Sequence, residues 1–195
     1  MGHPNWLRSY ILKAGLLFFT TVLVTTLSLS FSVTAQETMT ITELETRAAE
    51  GNLDAQMRLA ERYYKGEGVE RDPAKAANWY KKLAEQEFSH AQLALGLMYI
   101  KGEGVEKNDT KAIEWLERAA SQRLSDAQYL LGVAYEEGHG VEADLTTAYM
   151  WYEIAAALTH DHAEAAQKRI KNRLSAEQIK EADAKASQWW LEHHN

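Results

Sequence analysis

Histidine supplies the side chains best suited to chemistry in this chain of 195 residues, which has seven histidines and no cysteine. The densest group is His160-Asp161-His162, whose side chains are of types that can ligate a metal ion. Two histidines at i and i+2 of a helix start do not share a face, however, and Asp161 is suited to cap a helix. We therefore predict that the protein binds no metal and no other cofactor.

A nucleophile stands beside a base at Ser89-His90, the arrangement that nucleophilic catalysis needs. Ser89 is equally suited to cap a helix, and that role involves no chemistry. The sequence lacks Ser-x-x-Lys, His-Glu-x-x-His, Gly-x-Ser-x-Gly and a phosphate-binding glycine loop. We therefore expect that the protein is not an enzyme.

An internal repeat determines where these residues lie. The segment with Ala55-Gln56, Gly66-Glu67-Gly68-Val69 and Trp79 returns twice, each time 36 residues further on. A fixed period of this length indicates one supersecondary unit stacked on copies of itself. Because the repeats are rich in helix formers, we predict an all-α solenoid of helix-turn-helix units. The full repeats are 54–89, 90–125 and 126–161, partial units extend the solenoid over 40–172, and a capping helix covers 175–192.

Each repeat is predicted to contain a helix A, a turn with two glycines and a helix B. Helix A carries a core stripe at i, i+4 and i+8, which is Ala55, Leu59 and Tyr63 in the first repeat. Trp79 and its copies on helix B are expected in the core as well. Capping boxes are predicted at Ser89–Gln92, Ser125–Gln128, Asp161–Glu164 and Ser175–Gln178, and side-chain caps for helix B at Asp72, Asn108 and Asp144.

The first 35 residues differ from the rest, because they contain Arg8 and Lys13 but no acidic residue. An apolar run from Ala14 to Val33 ends in small residues, which is typical of a secretory signal. We predict a signal peptide over 1–35 that is cleaved after Ala35, and a periplasmic protein. The alternative is an uncleaved anchor in the inner membrane, since about 20 apolar residues can span a bilayer.

The charge of the chain excludes one class of partner. The full chain has 21 Lys and Arg against 28 Asp and Glu, a net charge of −7. Loss of Arg8 and Lys13 with the signal would leave 19 basic residues and a net charge of −9. An acidic surface repels phosphate backbones, so we expect no nucleic-acid partner.

The repeated pattern Ala-Gln-x2-Leu-(Gly/Ala)-x2-Tyr-x2-Gly-x-Gly-Val-x2-(Asp/Asn)-x3-Ala-x2-Trp-x4-Ala resembles the Sel-1-like repeat family, which is related to the tetratricopeptide repeats. One position departs within the turns, where His139 replaces Glu67 and Glu103. The resemblance implies a right-handed α-solenoid and an adaptor that binds other proteins. It does not indicate which partner.

A binding groove is predicted along the helix A residues that lie outside the core stripe. An apolar strip in a curved groove is typical of a peptide-binding site. The predicted groove residues are Met57, Glu61, Tyr64, His90, Leu93, Leu97, Ile100, Tyr129 and Val133. The alternative is that these side chains contact the next helix A or lie under the C-terminal helix.

Three functions are compatible with the sequence. The first is an exported scaffold or adaptor that binds an envelope protein or peptide, of unknown identity, in the groove. The second is a structural component of an envelope assembly that uses the convex face and the C-terminal helix. The third, suggested by the resemblance, is a hydrolase of cell-wall material or β-lactams that uses Ser89 and His90.

Overall fold

The computed structural model describes residues 39–193. The chain divides into two units, residues 1–43 and 44–195, and the second unit carries the repeats. Every regular element within residues 39–193 is an α-helix, which confirms the predicted all-α class. The helices are α1 (Ile41–Ala49), α2 (Leu53–Lys65), α3 (Pro73–Ala84), α4 (Ser89–Lys101), α5 (Asp109–Ser121), α6 (Ser125–Glu137), α7 (Leu145–Ala157), α8 (Ala163–Lys171) and α9 (Ala176–Glu192).

The helices of the second unit pack as a row of hairpins. The pairs α2–α3, α4–α5 and α6–α7 are the three repeats, and each helix B packs on the helix A that follows it. The last helix, α9, packs back on α7. Packing between neighbours in sequence is the organisation of a solenoid, as predicted. The handedness of the solenoid stays a prediction.

The first glycine of each turn ends helix A in the left-handed conformation. Gly66, Gly102 and Gly138 have φ of 78°, 69° and 76°, which confirms their predicted role. In repeats 2 and 3 the second glycine, Gly104 or Gly140, has a further role that the sequence did not reveal. A Cβ on Gly104 would lie 2.1 Å from the Pro73 carbonyl oxygen, so this turn packs directly on the preceding helix B. Any side chain at Gly104 would separate the two repeats.

The tryptophans on helix B are half-buried: Trp151 packs against two core clusters, but the predicted place of Trp79 and Trp115 in the core was wrong. Lys82 Nζ lies 4.2 Å from the ring centre of Trp79, and Arg118 Cζ lies 4.8 Å from that of Trp115. The residue after each tryptophan is the buried one, with 6% exposure for Tyr80, 0% for Leu116 and 0% for Tyr152. On helix B the residue after the tryptophan therefore occupies the core position that was predicted for the tryptophan itself.

Helix starts differ in how they are capped. The side chains of Asn52, Asp72, Asn108 and Asp144 accept backbone hydrogen bonds, and Ser175–Gln178 forms a full capping box. The three capping boxes predicted for helix A were wrong. Its N-cap residues are Phe88, Leu124 and His162, and none makes a side-chain cap.

In α4 and α6, a buried glutamine near the start of helix A instead binds the end of the preceding helix B. Gln92 Nε2 donates to the Ala84 carbonyl oxygen and Gln128 Nε2 to that of Ala120, both at 3.1 Å. The carbonyl groups belong to the end of the preceding helix B, and each also accepts from a backbone N–H of the turn that follows, Glu87 N to Ala84 and Arg123 N to Ala120. Each glutamine therefore joins one repeat to the next.

The C-terminal helix covers the last repeat. Its residues Ala182, Ala186 and Trp189 are buried in one cluster with Tyr149 and Tyr152 of α7. Among residues 39–193, no helix is long and apolar enough to cross a membrane. The predicted signal peptide over 1–35 lies outside the described residues.

Candidate protein-binding surface

The predicted groove residues lie on α2, α4 and α6, and we call these nine residues the helix A row. Glu61, His90 and Ile100 are exposed, and Ile100 is exposed to 37%. The other six are half-buried: Met57, Tyr64, Leu93, Leu97, Tyr129 and Val133. Leu93 packs against one core cluster, and Tyr129 and Val133 pack against another. The row thus combines exposed edges with half-buried apolar faces.

The junction of repeats 1 and 2 is closed by a polar network. The Tyr64 hydroxyl donates a short hydrogen bond to the Glu103 carboxylate. Arg71 Nη2 donates to the same carboxylate at 3.2 Å, and Arg71 Nε donates to the Tyr64 carbonyl oxygen at 3.0 Å. The hydrogen bond from Tyr64, together with the positive charges of Lys101 and Arg71, lowers the pKa of Glu103. Tyr64, a residue of the helix A row at this junction, is therefore engaged in contacts within the protein.

The junction of repeat 3 and α8 is closed in a similar way. Glu136 is the acceptor, with a side chain only 10% exposed. It accepts from the Tyr152 hydroxyl at 2.8 Å, from Arg169 Nη2 at 2.6 Å and from Arg173 Nη1 at 3.3 Å. Burial first, and then the hydrogen bond to Glu136, raises the pKa of Tyr152, so the phenol stays a donor.

The junction of repeats 2 and 3 is open and apolar. Ile100 takes the position of Tyr64 and Glu136, Leu116 that of Tyr80 and Tyr152, and Val133 that of Leu97 and Arg169. A cavity of about 210 Å³ lies there. It is lined by Ile100, Ala112, Ile113, Leu116, Leu130, Val133 and Ala134, with Lys107, Asp109 and His139. We call it the junction pocket.

The repeats identify the fold family. The Sel1 repeat family matches residues 53–88, 89–124 and 125–160, three consecutive units of 36 residues. These matches cover more than half of the chain. The chain belongs to the Sel1 repeat family.

Three solved structures are similar to this Sel1 repeat protein. A Sel1 repeat protein from Oxalobacter formigenes is 39% identical, with a TM-score of 0.59, over 66% of this chain and 96% of that one. The c5321 protective antigen of uropathogenic Escherichia coli is 34% identical, with a TM-score of 0.67, over 78% of this chain. The match spans only 32% of the antigen. Cysteine-rich protein B of Helicobacter pylori is 21% identical, with a TM-score of 0.53 over 66% of this chain and 97% of that one, which shows the fold alone.

No curated protein matches the chain. Sel1 repeat proteins generally mediate protein–protein interaction and are generally scaffolds without enzymatic activity. This general role agrees with the function expected from the resemblance. The nature of the partner and the surface that binds it are not given by the family.

Within the predicted cluster His160-Asp161-His162, His160 contributes to packing. The His160 ring stacks on Tyr129 with 4.3 Å between the ring centres, and His160 Nε2 lies 3.4 Å from an Asp126 carboxylate oxygen. Within residues 39–193, no group of three or more His, Cys, Asp or Glu side chains could hold a metal ion. Ser89 begins α4, and His90 on the next position is exposed.

Sequence reasoning found only two of the residues that line the junction pocket, Ile100 and Val133. His139 was noted in the sequence only as a departure from Glu67 and Glu103; its side chain is 62% exposed and lines the pocket. A comparison of the repeats by column would have revealed the site. Among the three full repeats, Leu116 is the one member of its column that is not a tyrosine, and it stands directly opposite Gly96.

Proposed function

We propose that this Sel1 repeat protein is an exported adaptor that binds a segment of another envelope protein along the helix A row. The family supports a protein-interaction role, and the pattern of residues 1–35 supports export. The net charge of −7 disfavours a nucleic acid as the partner.

One observation favours the helix A row as the surface that binds the partner. The middle helix A, α4, carries three apolar residues of the row, Leu93, Leu97 and Ile100, and Ile100 lies at the junction of repeats 2 and 3, which lacks the polar closure of the neighbouring junctions. Apolar side chains left partly open between polar surroundings are typical of sites where another protein packs. An extended segment or a helix could lie across α4 and make these contacts.

A second surface supports a different role. Leu191 on α9 is exposed to 83%, the most exposed of the large apolar side chains among the described residues. An apolar contact there would make the protein a structural component that docks through its C-terminal helix. This alternative predicts that binding depends on α9 and not on α4.

Affinity capture separates the two functions. Wild-type protein, Leu97→Glu and the matched variant Leu191→Glu are used to capture partners from a periplasmic extract, with quantification by mass spectrometry. We expect the loss of about nine-tenths or more of a specific partner with Leu97→Glu, because a buried carboxylate opposes an apolar contact. Equal recovery with Leu97→Glu would contradict the proposal, and loss with Leu191→Glu alone would favour the structural role.

A further inference from the structure

The junction pocket lies where the second repeat has a smaller side chain than the other repeats have at the equivalent position. In the third repeat, the position of Leu116 holds Tyr152, whose ring lies against Gly132 so closely that a Cβ there would be 2.5 Å from Tyr152 Cδ1. Gly96 stands opposite Leu116 in the same way, with 3.1 Å between its would-be Cβ and Leu116 Cγ. The glycine that makes room for a ring is therefore present in the second repeat, but the ring is not.

The size and lining of the pocket define what it can hold. A dry apolar cavity of about 150 Å³ accommodates benzene. The junction pocket has about 210 Å³, and seven of its ten lining residues are apolar. It therefore suits one leucine or phenylalanine side chain. An unfilled apolar cavity destabilises a protein, so an occupant that fills it gains binding energy from the same contacts.

The turns that border the pocket define the charge of the occupant. Residues 104–109 and 137–142 together carry four carboxylates and one lysine, a net charge of −3 with His139 neutral. Lys107 lies 3.6 Å from Asp109, so these two charges compensate each other and Glu106, Glu137 and Glu142 account for the net charge. Such an acidic border attracts basic groups on either side of the apolar anchor.

We propose that the junction pocket binds a single leucine or phenylalanine side chain of a partner protein segment, flanked by lysine or arginine. This inference rests on the proposed adaptor function and names the anchor of the segment that the helix A row binds. The pocket lies at the edge of the row, since Ile100 and Val133 belong to both. The segment would place its anchor between repeats 2 and 3 and extend its basic residues along the two turns.

Two variants test the pocket by filling it. Leu116→Tyr introduces the tyrosine that the other two repeats have at the equivalent position, Tyr80 and Tyr152. Ala134→Met introduces the methionine that the second repeat has at the equivalent position, Met98. Each variant thus places at the junction of repeats 2 and 3 a side chain that another repeat accepts. The matched control is Leu53→Tyr, the same exchange at a residue that is 37% exposed and does not line the pocket. Thermal unfolding and circular dichroism show whether each variant keeps its helices.

The experiment selects peptides from a displayed library of short random sequences on the full chain, and then measures the binding of the synthetic peptides by calorimetry. We expect selected peptides to share a leucine or phenylalanine next to lysine or arginine. We expect Leu116→Tyr and Ala134→Met to weaken their binding by about tenfold or more, with Leu53→Tyr unchanged.

The outcomes separate the pocket from the adaptor function. If the peptides bind Leu116→Tyr and Ala134→Met as they bind the wild type but lose binding to Leu97→Glu, the inference on the pocket is overturned and the proposed function stands. If the selected peptides share no apolar anchor beside basic residues, the inference is likewise overturned. If the wild type selects no peptide reproducibly, both are contradicted.

Discussion

At the scale of single residues, the link from each helix B to the next helix A requires a left-handed backbone. Gly51 fills this position before the first repeat, with φ of 88°, and its copies are Glu87, Arg123 and Thr159, with φ of 62°, 65° and 63°. Side chains with a Cβ are disfavoured in this region, and β-branched ones most of all. Thr159 is therefore the most strained of the four.

We predict that Thr159→Gly raises the free energy of unfolding by up to about 1 kcal/mol, since relief of the left-handed strain exceeds the entropy that glycine adds to the unfolded chain. Chemical denaturation with urea measures the change. Glu87→Gly is the matched comparison, with a smaller gain because glutamate is not β-branched. A lower stability for Thr159→Gly would show that the threonine makes contacts that outweigh the strain.

The buried glutamines are a second feature at this scale. Gln92 is 0% exposed and donates to the Ala84 carbonyl oxygen at 3.1 Å and to the Glu87 carboxylate at 2.9 Å. Its own carbonyl oxygen accepts from Gln122 Nε2 at 2.8 Å. The side chain thus joins three segments across the boundary of two repeats.

We predict that Gln92→Leu lowers the free energy of unfolding by about 1–3 kcal/mol, because the Ala84 carbonyl oxygen would keep only its hydrogen bond from the Glu87 N–H and the Gln122 side chain would lose its acceptor. The apolar side chain keeps the volume, so the loss reports the hydrogen bonds rather than a cavity. Urea unfolding gives the value, and Gln86→Leu on the exposed surface is the control. An unchanged midpoint would mean that water replaces the glutamine.

At the scale of the elements, the attachment of α9 to α7 involves two carboxyl groups. Burial is the largest cause that raises the pKa of Glu153 on α7 above its ordinary value of 4.5. The negative charge of Asp183 on α9, and a hydrogen bond with its side chain, raise this pKa further. One carboxylate oxygen of Glu153 is buried without a hydrogen-bond partner in the described part of the chain. The folded protein therefore favours protonated Glu153.

The sign of the pH dependence follows from this raised pKa. The contribution of protonated Glu153 to stability is fully present below pH 4.5 and is lost as the pH rises through the raised value. We predict that Glu153→Gln melts at a higher temperature than the wild type near neutral pH, because the amide keeps a donor and removes the charge. The difference should shrink on acidification. Melting curves over this pH range check the prediction, and a constant difference would contradict it.

The ends and starts of the helices show which features could be predicted from the sequence. The ends of the helices at Gly66, Gly102 and Gly138 were predictable, because the left-handed conformation is a local requirement of the backbone. The capping boxes at Ser89 and Ser125 were not, because Gln92 and Gln128 bind carbonyl groups of another helix. The depth of Trp115 was misjudged for a related reason, since recurrence at a fixed period shows a shared environment and not its burial.

At the scale of the whole repeat unit, packing between neighbours makes each junction a separate site. The first and third junctions are closed by Glu103 and Glu136, and the second is left apolar around Leu116. The period predicted three equivalent junctions. Their difference arises from residues of two repeats that meet only in the folded chain, so the pocket could not be predicted from one repeat alone.

The central claim is that a partner lies along the helix A row, and photocrosslinking in cells tests it most directly. A photoreactive amino acid is placed at Ile100, at Leu191 on α9 and, as a control, at the exposed Asn78 on helix B of the first repeat. We predict that only the variant at Ile100 forms a discrete adduct with another envelope protein, and that Leu97→Glu abolishes this adduct. Adducts from Leu191 but not from Ile100 would contradict the claim.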